Sequence, residues 1–170
     1  RDAGRGFRFM EIGLGCSIPA KKKGIDLWNA LFHLADAPST SSGSGSGSGR
    51  HLRRATEYEQ ESALTSTAVA DVVWIAELKQ KCVQKMINSG HIPGKLHNQF
   101  IYGDQGDEGT LQQWVHSTGG AFDAIVDDGS HRNDHIFTSL LYLWKHALAP
   151  GGMYFIEDLQ VGRHRDFMRP

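Results

Sequence analysis

Two acidic clusters thirty residues apart are the parts of this chain best suited to chemistry. Asp127 and Asp128 close the run Phe122-Asp-Ala-Ile-Val-Asp-Asp-Gly-Ser-His131, and Glu157 and Asp158 close Gly152-Met-Tyr-Phe-Ile-Glu-Asp158. Each pair follows a short apolar run, which is how a buried parallel strand delivers polar groups to the carboxyl edge of a sheet. If the two strands are neighbours, Asp128, Glu157 and Asp158 emerge roughly 5 Å apart, close enough to share one hard cation. His131 would stand beside that cation as a base, because imidazole exchanges protons near neutral pH.

Plainer readings of the same residues compete with this one. Asp128 could open a loop with Ser130 as N-cap, where a helix dipole favours acids, and His131 could be a polar residue in that helix's first turn. Asp127 is the member of the pair better suited to a structural role. His135 would share a face with His131 if both were helical, but no zinc motif surrounds them. Glu157 and Asp158 could merely follow a strand, although two acids after Tyr-Phe-Ile are costly unless exposed or paired with a cation.

Such residues need elements to position them. Phe7–Gly13 reads as a first strand, and 24–35 as a helix with Ile25, Leu27, Trp28, Leu31, Phe32 and Ala35 mostly on one face. The Gly/Ser-rich tract from Pro38, extended by a polar run to Thr67, has nothing to build a core and reads as a flexible insertion at about 38–67. A second strand, Asp71–Glu77, leads into a helix through Cys82, Val83, Met86 and Ile87 that ends near Gly90. Gln99–Gly103 is a third strand, and Leu111, Trp114 and Val115 mark the helix after it. The fourth strand is followed by a helix carrying Ile136, Leu140, Leu143, Trp144, Ala147 and Leu148, ended by Pro150-Gly-Gly, with Tyr142 and Trp144 read as packing. Met153–Ile156 is the fifth strand. Strands alternating with helices predict an α/β, doubly wound parallel sheet in three layers, with ligands at the carboxyl ends of its strands.

The chain of 170 residues is 39% hydrophobic, enough for one domain, and 18 basic against 19 acidic residues leave a net charge of −1. No strong field attracts nucleic acid or an anionic membrane, so a small-molecule partner is expected. There is no membrane segment, and oligomeric state has no signature. Cys16 and Cys82 form no CxxC pair and suggest no disulfide framework, so a reducing, cytoplasmic setting fits. Starting at Arg1 and stopping at Pro170 just after a strand, the chain reads as a fragment.

Glu11-Ile-Gly13-Leu-Gly15 follows the first strand, where glycines let a nucleotide or amino-acid group approach the backbone. A dinucleotide fingerprint would need a third glycine where Ile18 stands. Glu77 lies where an acid can accept both hydroxyls of a ribose. Asp104 could cap the next helix or face an adenine edge.

In order along the chain, Glu11-x-Gly13-x-Gly15, Glu77, Gly103-Asp104-Gln105, Asp127-Asp-Gly-Ser-His131 and Pro150-Gly-Gly-x-Tyr-Phe-Ile-Glu-Asp158 resemble the motifs of class I S-adenosylmethionine-dependent methyltransferases. Within that class the pattern is most similar to the metal-dependent sugar O-methyltransferases of macrolide biosynthesis, the macrocin and mycinamicin type. The resemblance implies a Rossmann-like sheet ordered 3-2-1-4-5, truncated here before two further strands. It places S-adenosylmethionine against Glu11, Gly13, Gly15, Glu77, Asp104, Gln105 and Asp127, and Mg²⁺ on Asp128, Glu157 and Asp158. His131 becomes the general base, and the acceptor a hydroxyl of a sugar or glycosylated small molecule. Two competing functions remain: a catalytically degenerate binding protein of this fold, suggested by the irregular stretch 16–23, and a nicotinamide-dependent oxidoreductase, disfavoured by Ile18 and the absence of a Tyr-x-x-x-Lys pair.

Overall fold

The computed structural model describes residues 5–15 and 71–163. The helix expected at 24–35, the insertion at 38–67, the stretch 16–23 and Cys16 lie outside the described residues. Five strands, β1 (Arg8–Ile12), β2 (Val72–Glu77), β3 (Phe100–Tyr102), β4 (Phe122–Asp127) and β5 (Leu148–Ile156), pair in parallel in the order β3-β2-β1-β4-β5. Helix α1 (Gln80–Asn88) follows β2, α2 (Glu108–Thr118) follows β3 and α3 (Asn133–His146) joins β4 to β5. This is the Rossmann-like, doubly wound arrangement that the motif order implies.

Both faces of the central strands are covered, which is why they read as unbroken apolar runs rather than alternating ones, whereas β5 leaves Met153 and Phe155 exposed. Against one face α1 lays Val83, Met86 and Ile87 on Phe9, Val73, Ile75, Ala124 and Val126. Against the other, Leu111 and Trp114 of α2 and Leu143 of α3 cover Met10, Ile12, Ile101 and Ile125. Burying a side chain such as that of Ile125 stabilises the fold by ~1.5–3 kcal/mol. Local signals set the helix ends: the Asp107 carboxylate accepts the Thr110 N–H (2.7 Å) at the start of α2, and Gly119 (φ +75°) closes it in the left-handed region.

Three details depart from expectation. Trp144 is 58% exposed and shares the outer side of α3 with Phe137 and Leu141, so it is not a packing residue. Cys82 is not a free thiol. Leu148 belongs to β5 rather than to α3, because the chain re-enters the sheet directly after Ala147. Between the Phe122–Leu148 and Ala124–Met153 pairs, β4 advances two residues while β5 advances five. Pro150-Gly-Gly therefore forms a bulge within β5 rather than the stop of α3, which ends at His146. Among the described residues, no helix is long and apolar enough to cross a membrane.

Gly152 sits where a Cβ would meet the Phe122 carbonyl oxygen at 2.7 Å, whereas Gly90 (φ +69°) has open space around it. Gly152→Ala should therefore cost about 1–3 kcal/mol of stability, more than the ~1 kcal/mol of backbone strain expected for Gly90→Ala. Equal shifts of the urea midpoint in the two variants would show that the bulge does not require a glycine.

Candidate functional site

The ladder of the sheet continues one residue past the strand ends. Gly13 N–H donates to the Ala76 carbonyl (2.8 Å), Asp128 N–H to that of Ile12 (2.9 Å) and Glu157 N–H to that of Asp127 (2.9 Å). These bonds fix Gly13, Asp128 and Glu157 side by side on the carboxyl rim. A cavity of about 290 Å³ opens there, at the β1–β4 junction where the strand order reverses, the place in such sheets where ligands bind.

Its wall collects most of the expected cofactor residues. Gly13 and Gly15 line it from β1, Glu77 from β2, and Asp104 and Gln105 from the turn after β3. Gly13 (φ +93°) is required by packing: a Cβ there would lie 2.3 Å from the Asp128 carbonyl oxygen, so only glycine lets the β1 and β4 turns touch. Glu77 is buried, its Oε2 accepting Leu14 N–H (3.0 Å) and its Oε1 accepting Lys79 N–H (3.0 Å), so it ties the β1 turn to the β2 turn. Each oxygen retains acceptor capacity for a ligand hydroxyl. Beside it, Leu78 is 60% exposed and gives the wall an apolar surface.

Asp104 does not cap α2, since Asp107 does. Its Oδ1 accepts Gly106 N–H (2.9 Å) and lies 3.4 Å from His135 Nδ1, and His135 also lines the cavity. The His135 ring rests on Gly106, where a Cβ would come within 2.6 Å of it.

Glu11 and Asp127 do not line the cavity; both are buried in the sheet. Asp127, 1% exposed, is the centre of a polar cluster. Gln105 Nε2 donates to both of its oxygens (3.0 Å each), and Ser139 Oγ (2.9 Å) and the Tyr154 hydroxyl (3.0 Å) donate to Oδ2. Gly129 N–H reaches Oδ1 at 3.2 Å, while Gln105 Oε1 accepts Ser130 N–H (2.8 Å). Burial, reinforced by the negative charge of Asp127, pushes the Tyr154 phenol well above its ordinary pKa. Ser139 and Tyr154 escaped the reading of the chain. The one available signal was a serine on the inward stripe of α3, between Ile136 and Leu143.

On the outer side of the same turn, single ligand atoms of Asp128, His131 and Asp158 lie within 4.8 Å of one another. His131 and Asp158 both have left-handed backbones (φ +57° and +51°), which non-glycine residues adopt uncommonly. His131 precedes α3 instead of sitting in its first turn, so it shares no helical face with His135, and Ser130 does not cap α3, whose N-cap is Arg132. Its Nε2 is 3.7 Å from Asp128 Oδ1. Glu157 is outside the group. Continuing the alternation of β5 puts it with exposed Met153 and Phe155, and the left-handed turn at Asp158 brings that carboxylate back instead.

No protein-family model matches the chain. It is 48% identical over 59 residues to demethylmacrocin O-methyltransferase of Streptomyces fradiae, covering 35% of this chain and 14% of that protein. Over 74 residues it is 39% identical to mycinamicin VI 2''-O-methyltransferase of Micromonospora griseorubida, covering 44% of this chain and 18% of the relative. Among solved structures, the MycE methyltransferase of the mycinamycin biosynthetic pathway, in complex with Mg and SAH, superposes with a TM-score of 0.58 at 23% identity. That likeness, one of fold, spans 96% of this chain and 30% of the other. The chain thus spans less than a fifth of the length of these curated relatives.

Because the folded state holds the Tyr154 proton more tightly than the unfolded state does, the unfolded chain ionises first as the pH rises. The contribution is complete below pH ~10 and declines above it. Tyr154→Phe should lower stability by about 1 kcal/mol at neutral pH and make the alkaline decline shallower. Parallel wild-type and variant curves of denaturation midpoint against pH would refute this.

Proposed function

We propose that this chain is part of an S-adenosylmethionine-dependent O-methyltransferase that acts, with a divalent cation such as Mg²⁺, on a hydroxyl of a sugar or glycosylated small molecule. One observation carries the reading. The glycine turn and Glu77 of the nucleoside half share a single cavity with Asp128 and His131 of the cation group. The sequence similarity to macrolide sugar O-methyltransferases supports the reaction class and a sugar-like acceptor.

The residues fit both groups. Glu77 offers carboxylate oxygens at the cavity wall for ribose hydroxyls, Leu78 an apolar surface for a base, and the glycines of the β1 turn room for the amino-acid end. Two carboxylates and an imidazole suit a hard divalent cation that completes its shell with water and substrate. Asp128 and Asp158 would hold it, with His131 as third ligand or as base; Glu157 joins only if its side chain turns inward. When bound, the sulfonium supplies the methyl group, and the cation lowers the acceptor hydroxyl's pKa and fixes its position. Where His131 is the base, it would accept the proton that the acceptor hydroxyl gives up as the methyl group passes to its oxygen. The buried floor beneath the turn keeps Asp128 and His131 in register with the cavity.

A ligand-binding protein without turnover is the second reading, favoured by the position of Glu157 outside the cation group. Calorimetric titration of S-adenosylmethionine, with and without Mg²⁺, tests the first. Micromolar binding weakened at least ~10-fold in a folded Glu77→Ala variant is expected; no binding by folded wild-type protein would sink it. Asp128→Asn should retain cofactor binding and lose methyl transfer to a glycosylated acceptor by ~10²-fold or more. Turnover unchanged in that variant would remove the cation from the mechanism.

A further inference from the structure

Gln105, expected from the motif resemblance to lie near adenine, has its side chain engaged elsewhere. The amide is buried at 6% exposure, and both of its ends are used inside the protein. Its nitrogen donates to Asp127, and its oxygen accepts the backbone N–H of Ser130. Asp127 in turn accepts the N–H of Gly129. Two successive amides of the turn carrying Asp128 and His131 are therefore held from below, one by Gln105 and one by the carboxylate that Gln105 itself binds. At its other end Gln105 belongs to the turn after β3, whose Asp104 lines the cavity. Gly129 makes this possible, since a Cβ there would stand 1.8 Å from Gln105 Oε1.

We propose that Gln105 is a positioning residue that couples the two halves of the site, so that filling the nucleoside half sets the turn holding the cation group and the reverse. This rests on the functional reading above. A ligand that pins the β3 turn pins Gln105, and through Ser130 and Asp127 it narrows the geometries open to Asp128 and His131. The cation then meets a turn already ordered, and by linkage each ligand tightens the other by the same factor.

The test is that factor, read by calorimetry as the ratio of S-adenosylmethionine dissociation constants without and with Mg²⁺. Wild-type protein should give a ratio of at least ~5. In Gln105→Met, which fills similar space without hydrogen bonds, the ratio should fall to about one whatever each ligand's affinity alone. Gly129→Ala displaces the same amide from the other side and should do likewise; it decides the matter if Gln105→Met does not fold. Tyr154→Phe loosens the same carboxylate without touching the Gln105–Ser130 bond, so it should lower the melting temperature and keep the ratio. A ratio of one in wild type, one that survives in Gln105→Met, or one lost equally in Tyr154→Phe overturns the inference. Wild-type protein that binds neither ligand overturns the functional reading itself, and a coupling ratio is then never reached.

Discussion

The carboxylate of Asp127 lies where β4 leaves the sheet, almost wholly removed from water, and its demand for donors organises everything around it. A buried carboxylate costs several kcal/mol unless hydrogen bonds replace its hydration. Here the replacements come from three directions: Gln105 from the β3 turn, Ser139 from α3, and Tyr154 from β5. Each donor belongs to a different element, so satisfying one side chain fixes the relative placement of all three. The last donor, Gly129 N–H, belongs to the turn that carries the cation group. A structural acid thus sets the geometry of its neighbour Asp128, whose side chain points the opposite way along the alternation of the strand.

Parallel geometry supplies the rest of the organisation. In a sheet ordered β3-β2-β1-β4-β5 the chain leaves β1 on one side and returns on the other, so the turns after β1 and β4 diverge and leave a crevice between them. Gly13 lets those turns touch at the crevice floor, against Asp128 and Gly129. Glu77 closes the β2 side through Leu14 N–H, and His135 over Gly106 closes the α3 side. The turns that form the wall are therefore tied together by backbone contacts and by the buried side chains of Glu77 and Gln105, which resist displacement better than side chains on exposed loops do.

Strand identity was legible because buried parallel strands are short apolar runs, and each here ends in acids or glycines that the rim uses; the strand order followed only from the motif resemblance. The start of β5 was not. Pro150-Gly-Gly carries a genuine helix-stop signal, and nothing local distinguishes a loop glycine from one in a bulge; the difference lies in the contact of Gly152 with the Phe122 carbonyl, which is tertiary. Among site residues, Gly13, Gly15, Glu77 and Asp128 were readable as strand-end residues of the right type. Gln105 was placed at the right turn and lines the cavity, but its ties to Asp127 and Ser130, 22 and 25 residues further along, could not be read locally. The same holds for Glu157 and Asp158: adjacent acids look equivalent in a sequence, and one left-handed residue decides which reaches Asp128.

That left-handed backbone bears on the division of labour at His131. With Nε2 3.7 Å from Asp128 Oδ1 and one ring nitrogen in the 4.8 Å group with Asp158, the ring can serve the site in two ways, and the two exclude each other at one nitrogen. A nitrogen that gives its lone pair to a cation cannot at the same time accept a proton from a hydroxyl. As a base, the ring needs Asp128 to orient it and the cation to sit on the carboxylates alone. As a ligand, it leaves proton removal to another group, and the nearest imidazole on the cavity wall is His135, whose Nδ1 faces Asp104. The two acids alone are few ligands for a divalent ion, which would have to draw most of its shell from water and from oxygens of the acceptor. Under the proposed function, a cation held so sparsely by protein would favour acceptors with two adjacent oxygens, a demand that vicinal hydroxyls meet and an isolated alcohol does not.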